Sequence, residues 1–111
     1  MQATLTTGET TTFSVALPDV CAALILKAYA YRGRFAPRDA LDVWRLLETA
    51  RQAELGRDDW PTGSGARDAA HVLHQFFAAP GGRGAMSASP DPAVQARVRA
   101  LALAVVPAPL T

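Results

Sequence analysis

Lysine is nearly missing from this chain. Lys27 is the single lysine among 111 residues, and the other ten basic residues are all arginine. Cysteine is equally scarce. Cys21 stands alone, which excludes an internal disulfide, and its apolar neighbours mark it as a small buried hydrophobe. Charge of either sign is in short supply as well: the net charge is +1, so there is no basic field of the kind that draws nucleic acid to a surface. No apolar run approaches the length needed to span a bilayer, which excludes a membrane helix. The N-terminal stretch MQATLTTGETTT has neither a basic segment nor an apolar one, so it does not read as a signal peptide. With no targeting feature, the cytoplasm is the expected compartment.

Half of the residues are hydrophobic and 19% are charged, the balance of a chain that folds around one modest core. A single domain over 1–111 is expected. Residues 1–17 are Thr-rich, and Phe13, Val15 and Leu17 alternate as on a strand. With Gly8-Glu9 as a turn, Ala3–Thr6 and Thr11–Leu17 read as a short β-hairpin whose edge would lean on the helices or on a sheet supplied from elsewhere. Pro18-Asp19 opens a helix with an apolar face of Ala22, Ala23, Ile25, Leu26, Tyr29 and Ala30, stopping near Arg32-Gly33. A second helix runs from Pro37 or Arg38 to about Glu54, and the brief connection makes 18–55 an antiparallel helical hairpin. Residues 56–65 read as a loop and 66–79 as a third helix. Residues 80–89, rich in Gly, Ser, Ala and Pro, read as a flexible linker, and 90–106 as a fourth helix with Ser89 as its cap. The expected class is therefore α+β, mostly α.

Few residues here carry chemistry. A lone lysine in an apolar helix either snorkels to the surface or faces a ligand, and Lys27 is such a residue. Asp39 and Asp42, at i and i+3, share one face of the second helix near its N-terminus. Read singly, they are acids favoured by the helix dipole. Read together, the hairpin sets them opposite Lys27, where a carboxylate can orient an ammonium toward a phosphate. His71 and His74 are also i and i+3, but no third ligand joins them beyond Asp68, so they read as surface histidines. Ser87 and Ser89 have no base near them in sequence. Phe76, Phe77 and Trp44 read as core, and Arg97 and Arg99 as a solvated helix face.

The run from Leu17 to Leu47 has a helical Lys27, an arginine-containing connection and then Pro37-Arg38-Asp39-Ala40-Leu41-Asp42-Val43-Trp44-Arg45-Leu46-Leu47. It resembles the later motifs of AbiEii/AbiGii-type toxin nucleotidyltransferases, of the polymerase-β-like superfamily. The likeness covers roughly thirty of the 111 residues. It implies that Lys27 contacts phosphate, that Asp39 is the acidic partner and a base, that Asp42 is a second acid, and that Arg38 supports nucleotide binding.

The first half of that family's pattern, a Gly-Ser motif followed by D-x-D, has no counterpart. Gly63-Ser64 leads only to Gly65-Ala66-Arg67-Asp68, and Asp58-Asp59 are adjacent rather than alternating. Paired carboxylates supply the main electrostatic stabilisation in two-metal phosphoryl transfer. The resemblance thus implies a truncated or split nucleotidyltransferase domain, inactive alone. Mg²⁺ and a nucleoside triphosphate would enter only if a partner chain completed the site. The partner would be a neighbouring nucleotidyltransferase half or an antitoxin, and the acceptor a tRNA. The competing expectation is a small helical interaction domain in which the same residues form a surface salt bridge.

Overall fold

The computed structural model describes residues 17–108, and among them every regular element is helical. The order is α1 (Leu17–Arg34), α2 (Pro37–Gln52), a 3₁₀ turn (Arg57–Asp59), α3 (Ser64–Leu73) continued by a π-helical turn (His74–Ala78), α4 (Arg83–Ala88) and α5 (Pro92–Val105). This corrects the α+β expectation to all-α. Leu17, the expected end of a strand, is the first residue of α1, and the rest of the expected hairpin lies outside the described residues. Physically, α1 needs no sheet to bury its inner face, because α2 and α3 already cover it. Among the described residues, no helix is long and apolar enough to cross a membrane.

Helix α1 buries Val20, Cys21, Leu24, Ala28 and Tyr31, residues three or four apart along one stripe. It continues past Gly33 and stops at Arg34. The stop is made by Phe35, whose φ of 51° is left-handed. That conformation costs a bulky L-residue about 1–2 kcal/mol. Packing holds it there. The Phe35 ring meets Tyr31 edge-on at 5.3 Å and Phe76 at 5.3 Å, and the Arg83 guanidinium lies 4.1 Å above it. A sequence reading favours Gly33 as the stop; tertiary contacts move the turn two residues on.

Ala36 is extended, as the residue before a proline should be, and Pro37 starts α2 where a missing N–H is harmless. Ala40, Val43, Leu47 and Ala50 form its buried stripe. With a connection this short, α1 and α2 run antiparallel. Helix α2 is the central element, packed against α1, α4 and α5. It ends with Glu54 at φ 61°, and the Leu55 N–H turns back to the Ala50 carbonyl at 2.9 Å.

The segment expected to be a flexible linker contains α4. Its reason is steric. At Gly84 a Cβ would sit 2.7 Å from the Phe76 carbonyl oxygen and 2.7 Å from the Phe77 ring; at Gly82 it would meet the same carbonyl at 2.6 Å. Glycine lets α4 lie directly on the π-helical turn, so the glycines here mark close packing rather than looseness. The cap of α5 also moves. Asp91 accepts from the Ala93 N–H at 2.9 Å, while Ser89 accepts from the Asp91 N–H at 3.1 Å.

Gly84→Ala should lower stability by about 1–3 kcal/mol through overpacking. Gly33→Ala has no atom within 4 Å of its new Cβ and stays in helix α1. It should raise stability by about 0.4–1 kcal/mol. Urea denaturation of both variants checks the pair; equal effects would contradict the packing described for α4.

Candidate functional site

Lys27 lies midway along α1, on the side that faces α2. Asp39 and Asp42 sit one turn apart in the first half of α2, facing it. The Lys27 ammonium is 2.8 Å from Asp42 Oδ2 and 3.5 Å from Asp39 Oδ1. The hairpin thus brings together the three residues singled out by their spacing. Their exposures differ. The Lys27 and Asp42 side chains are 34% and 28% exposed, at the rim, whereas Asp39 is fully buried.

A buried carboxylate needs charged donors, and Asp39 has them. Arg34 Nε donates to Oδ2 at 2.8 Å and Arg34 Nη2 donates to Oδ1 at 3.2 Å, a bidentate fork. Arg34 is the residue that sequence reasoning missed. In the sequence it reads only as part of the connection between the helices. The signal for it is weak: Arg32, Arg34 and Arg38 are all near the turn, and only the path set by Phe35 selects Arg34. Arg38 is exposed and has no side-chain partner among the described residues. It is free to meet an anion but takes no part in the cluster.

The Arg34 hydrogen bonds hold the Asp39 carboxyl below the usual carboxylate range, with the charge of Lys27 acting in the same direction against the cost of burial. The hydrogen bond to Asp42 pushes the Lys27 ammonium above its ordinary value. Both groups are therefore charged at neutral pH. A Lys27 held protonated at neutral pH is no base, but it can donate to a phosphate oxygen. With both oxygens already accepting hydrogen bonds, Asp39 fits a positioning role better than that of a base. The four charges sum to zero, so an arriving phosphate must compete with Asp42 for the ammonium.

These residues do not fit a resident metal ion by themselves. Arg34 and Lys27 occupy the oxygens that a metal would need, and no group of three or more His, Cys, Asp or Glu side chains is suited to a metal among the described residues. His71 and His74 are not a pair: His71 is exposed, whereas His74 Nε2 lies 2.8 Å from the Val106 carbonyl oxygen and ties the π-helical turn to the end of α5. Asp59 is spent on a local turn, accepting from the Gly56 N–H at 2.8 Å. Phe77 is core, and Phe76 and Trp44 pack against it. Arg97 is more than a solvated face, because it forks onto Glu48 of α2 at 2.5 and 2.6 Å and braces α5. Cys21 is buried, which raises its thiol pKa and leaves it unreactive.

The lowered pKa of Asp39 fixes the sign of an acid effect. A carboxyl whose folded pKa lies below its unfolded value stabilises the fold above the unfolded pKa, about 3.9 for Asp. That stability is lost as pH falls through the folded pKa. Glu48, lowered by Arg97, acts in the same sense. Melting temperature should therefore fall on acidification below about pH 4. Asp39→Asn should be less stable than the parent at pH 7 and should lose part of this acid slope. An unchanged slope in that variant would contradict the pairing.

Compared with family models, with curated proteins and with solved structures, the chain matches none, so the likeness to AbiEii-type nucleotidyltransferases stands on the residues quoted from Leu17 to Leu47.

Proposed function

We propose that this chain contributes one half of a nucleotidyltransferase-like site, with Lys27 as the phosphate-contacting ammonium. The observation that carries the reading is the Lys27–Asp39–Asp42 contact across α1 and α2, with Asp39 buried and gripped by Arg34. An ammonium held at a defined point on two packed helices is pre-organised for a triphosphate oxygen in a way that a free surface lysine is not. Arg38, exposed one residue before Asp39, is the second group available to phosphate.

In this reading the chain binds but does not catalyse alone. The carboxylates for Mg²⁺ would come from a partner chain carrying Gly-Ser and D-x-D. That partner would bring its acids to the exposed side of Lys27. A tRNA acceptor and an antitoxin partner follow from the resemblance only.

One observation favours a second reading, a helical interaction domain with no catalytic role. Every charge in the cluster is already paired within it, so the same geometry serves as a brace between α1 and α2 without any ligand.

Calorimetric titration of ATP, CTP, GTP and UTP with Mg²⁺ into the chain separates the two. The half-site reading expects weak binding that falls about tenfold or more in Lys27→Ala, the cost of losing a charge-assisted hydrogen bond. It also expects no nucleotide transfer until the neighbouring gene product is added. Binding to none of the four nucleotides, alone or with that product, overturns it in favour of the brace.

A further inference from the structure

We propose that the cavity beside Trp60 is a binding site for a small organic carboxylate with a flat apolar body. It lies between residues 60–63, the first turns of α3 and the stretch after α5, and its volume is about 220 Å³. Its residues are not those of the Lys27 cluster. Trp60, Pro61, Ala70, Pro107 and Ala108 make the lining largely apolar, and among the described residues Arg67 is its one ionisable residue.

The aromatic wall is fixed in advance. Trp60 is 8% exposed, and its indole N–H donates to the Ala66 carbonyl at 2.9 Å. The α3 end is fixed too, since Tyr29 of α1 donates its hydroxyl proton to the Gly65 carbonyl at 3.0 Å. A pre-formed wall spares a ligand the entropy of ordering it. Arg67, by contrast, is exposed and has no side-chain hydrogen bond or ion pair among the described residues. A guanidinium without a partner among the described residues, set against an apolar cavity, calls for one anionic group on an apolar ligand.

Shape and charge together narrow the class. An apolar cavity of about 150 Å³ is enough to hold benzene, so this one has room for a single ring and a short acid chain. The ring would lodge among Trp60, Pro61, Ala70 and Pro107. The carboxylate would accept two parallel hydrogen bonds from Arg67, a geometry that lysine cannot offer. A triphosphate is too large and too highly charged for this pocket, whose one cation among the described residues is Arg67.

The test is an NMR titration of the chain with benzoate, phenylacetate and indole-3-acetate, and with uncharged phenylacetamide. It follows the two indole N–H resonances. Trp44, on α2, is the internal control. The expected result is a saturable shift of the Trp60 signal with at least one of the acids and none at Trp44. Arg67→Ala, which removes an exposed and unpaired side chain, should leave the melting temperature unchanged. It should weaken the acid about tenfold or more while leaving phenylacetamide as it was. A Trp60 signal that none of the three acids moves, or an affinity that Arg67→Ala does not change, overturns the proposal.

Discussion

A carboxylate taken out of water must find charged donors at once, and Asp39 finds two of them on α1. Arg34 reaches it from the end of that helix and Lys27 from two turns earlier. Those contacts fix how α2 is set against α1. They require the chain to turn at Phe35 rather than at Gly33, because the turn decides which arginine meets the acid. The left-handed Phe35 is in turn held by Tyr31, Phe76 and Arg83. The ion pairs and the aromatic cluster are thus two sides of one arrangement: the strained turn delivers Arg34, and the aromatic packing sustains the strain.

The consequence for chemistry is a division of labour among similar residues. Arg34 and Asp39 are matched in charge and consumed by each other. Asp42 and Lys27 sit at the rim, partly exposed, with a bond that an incoming anion can exchange. Arg38, next to Asp39 in sequence, is exposed and has no side-chain partner among the described residues. Three arginines near one turn, all exposed, therefore have separate fates set by their partners: Arg34 forks onto Asp39, Arg32 lies over the Tyr29 ring, and Arg38 has no side-chain partner among the described residues.

The helices were legible because their signals are local. Apolar spacing of three and four and Pro37 at the start of α2 depend only on near neighbours, and each corresponds to an observed helix, whereas the Gly- and Asp-rich run from 56 to 65, which reads as a loop, holds a 3₁₀ turn and the first residues of α3. The failures share a different cause. Gly82 and Gly84 look like a flexible linker in sequence, yet they are small so that α4 can touch Phe76 and Phe77. Alternation at Thr11–Leu17 has a period of two, but Leu17 is already the first residue of α1, one residue before the Pro18 that marks the helix start in sequence. Likewise the juxtaposition of Lys27, Asp39 and Asp42 followed from a short loop and helical spacing. Arg34 did not, since its role is set by contacts from α4 and the π-helical turn, far along the chain. The cavity beside Trp60 was illegible for the same reason: its lining joins residues 60–70 to residues 107–108.

What the whole account asks of the molecule is that Arg34 and Asp39 act as a unit. The most direct measurement is the melting temperature of Arg34→Ala in two backgrounds, the parent chain and Asp39→Asn. A shared bond makes the two substitutions non-additive. Arg34→Ala should lower the melting temperature clearly in the parent and hardly at all once Asp39 is neutral. An equal loss in both backgrounds would show that Arg34 stabilises the chain by some other route and would remove the central support for a Lys27 held in place.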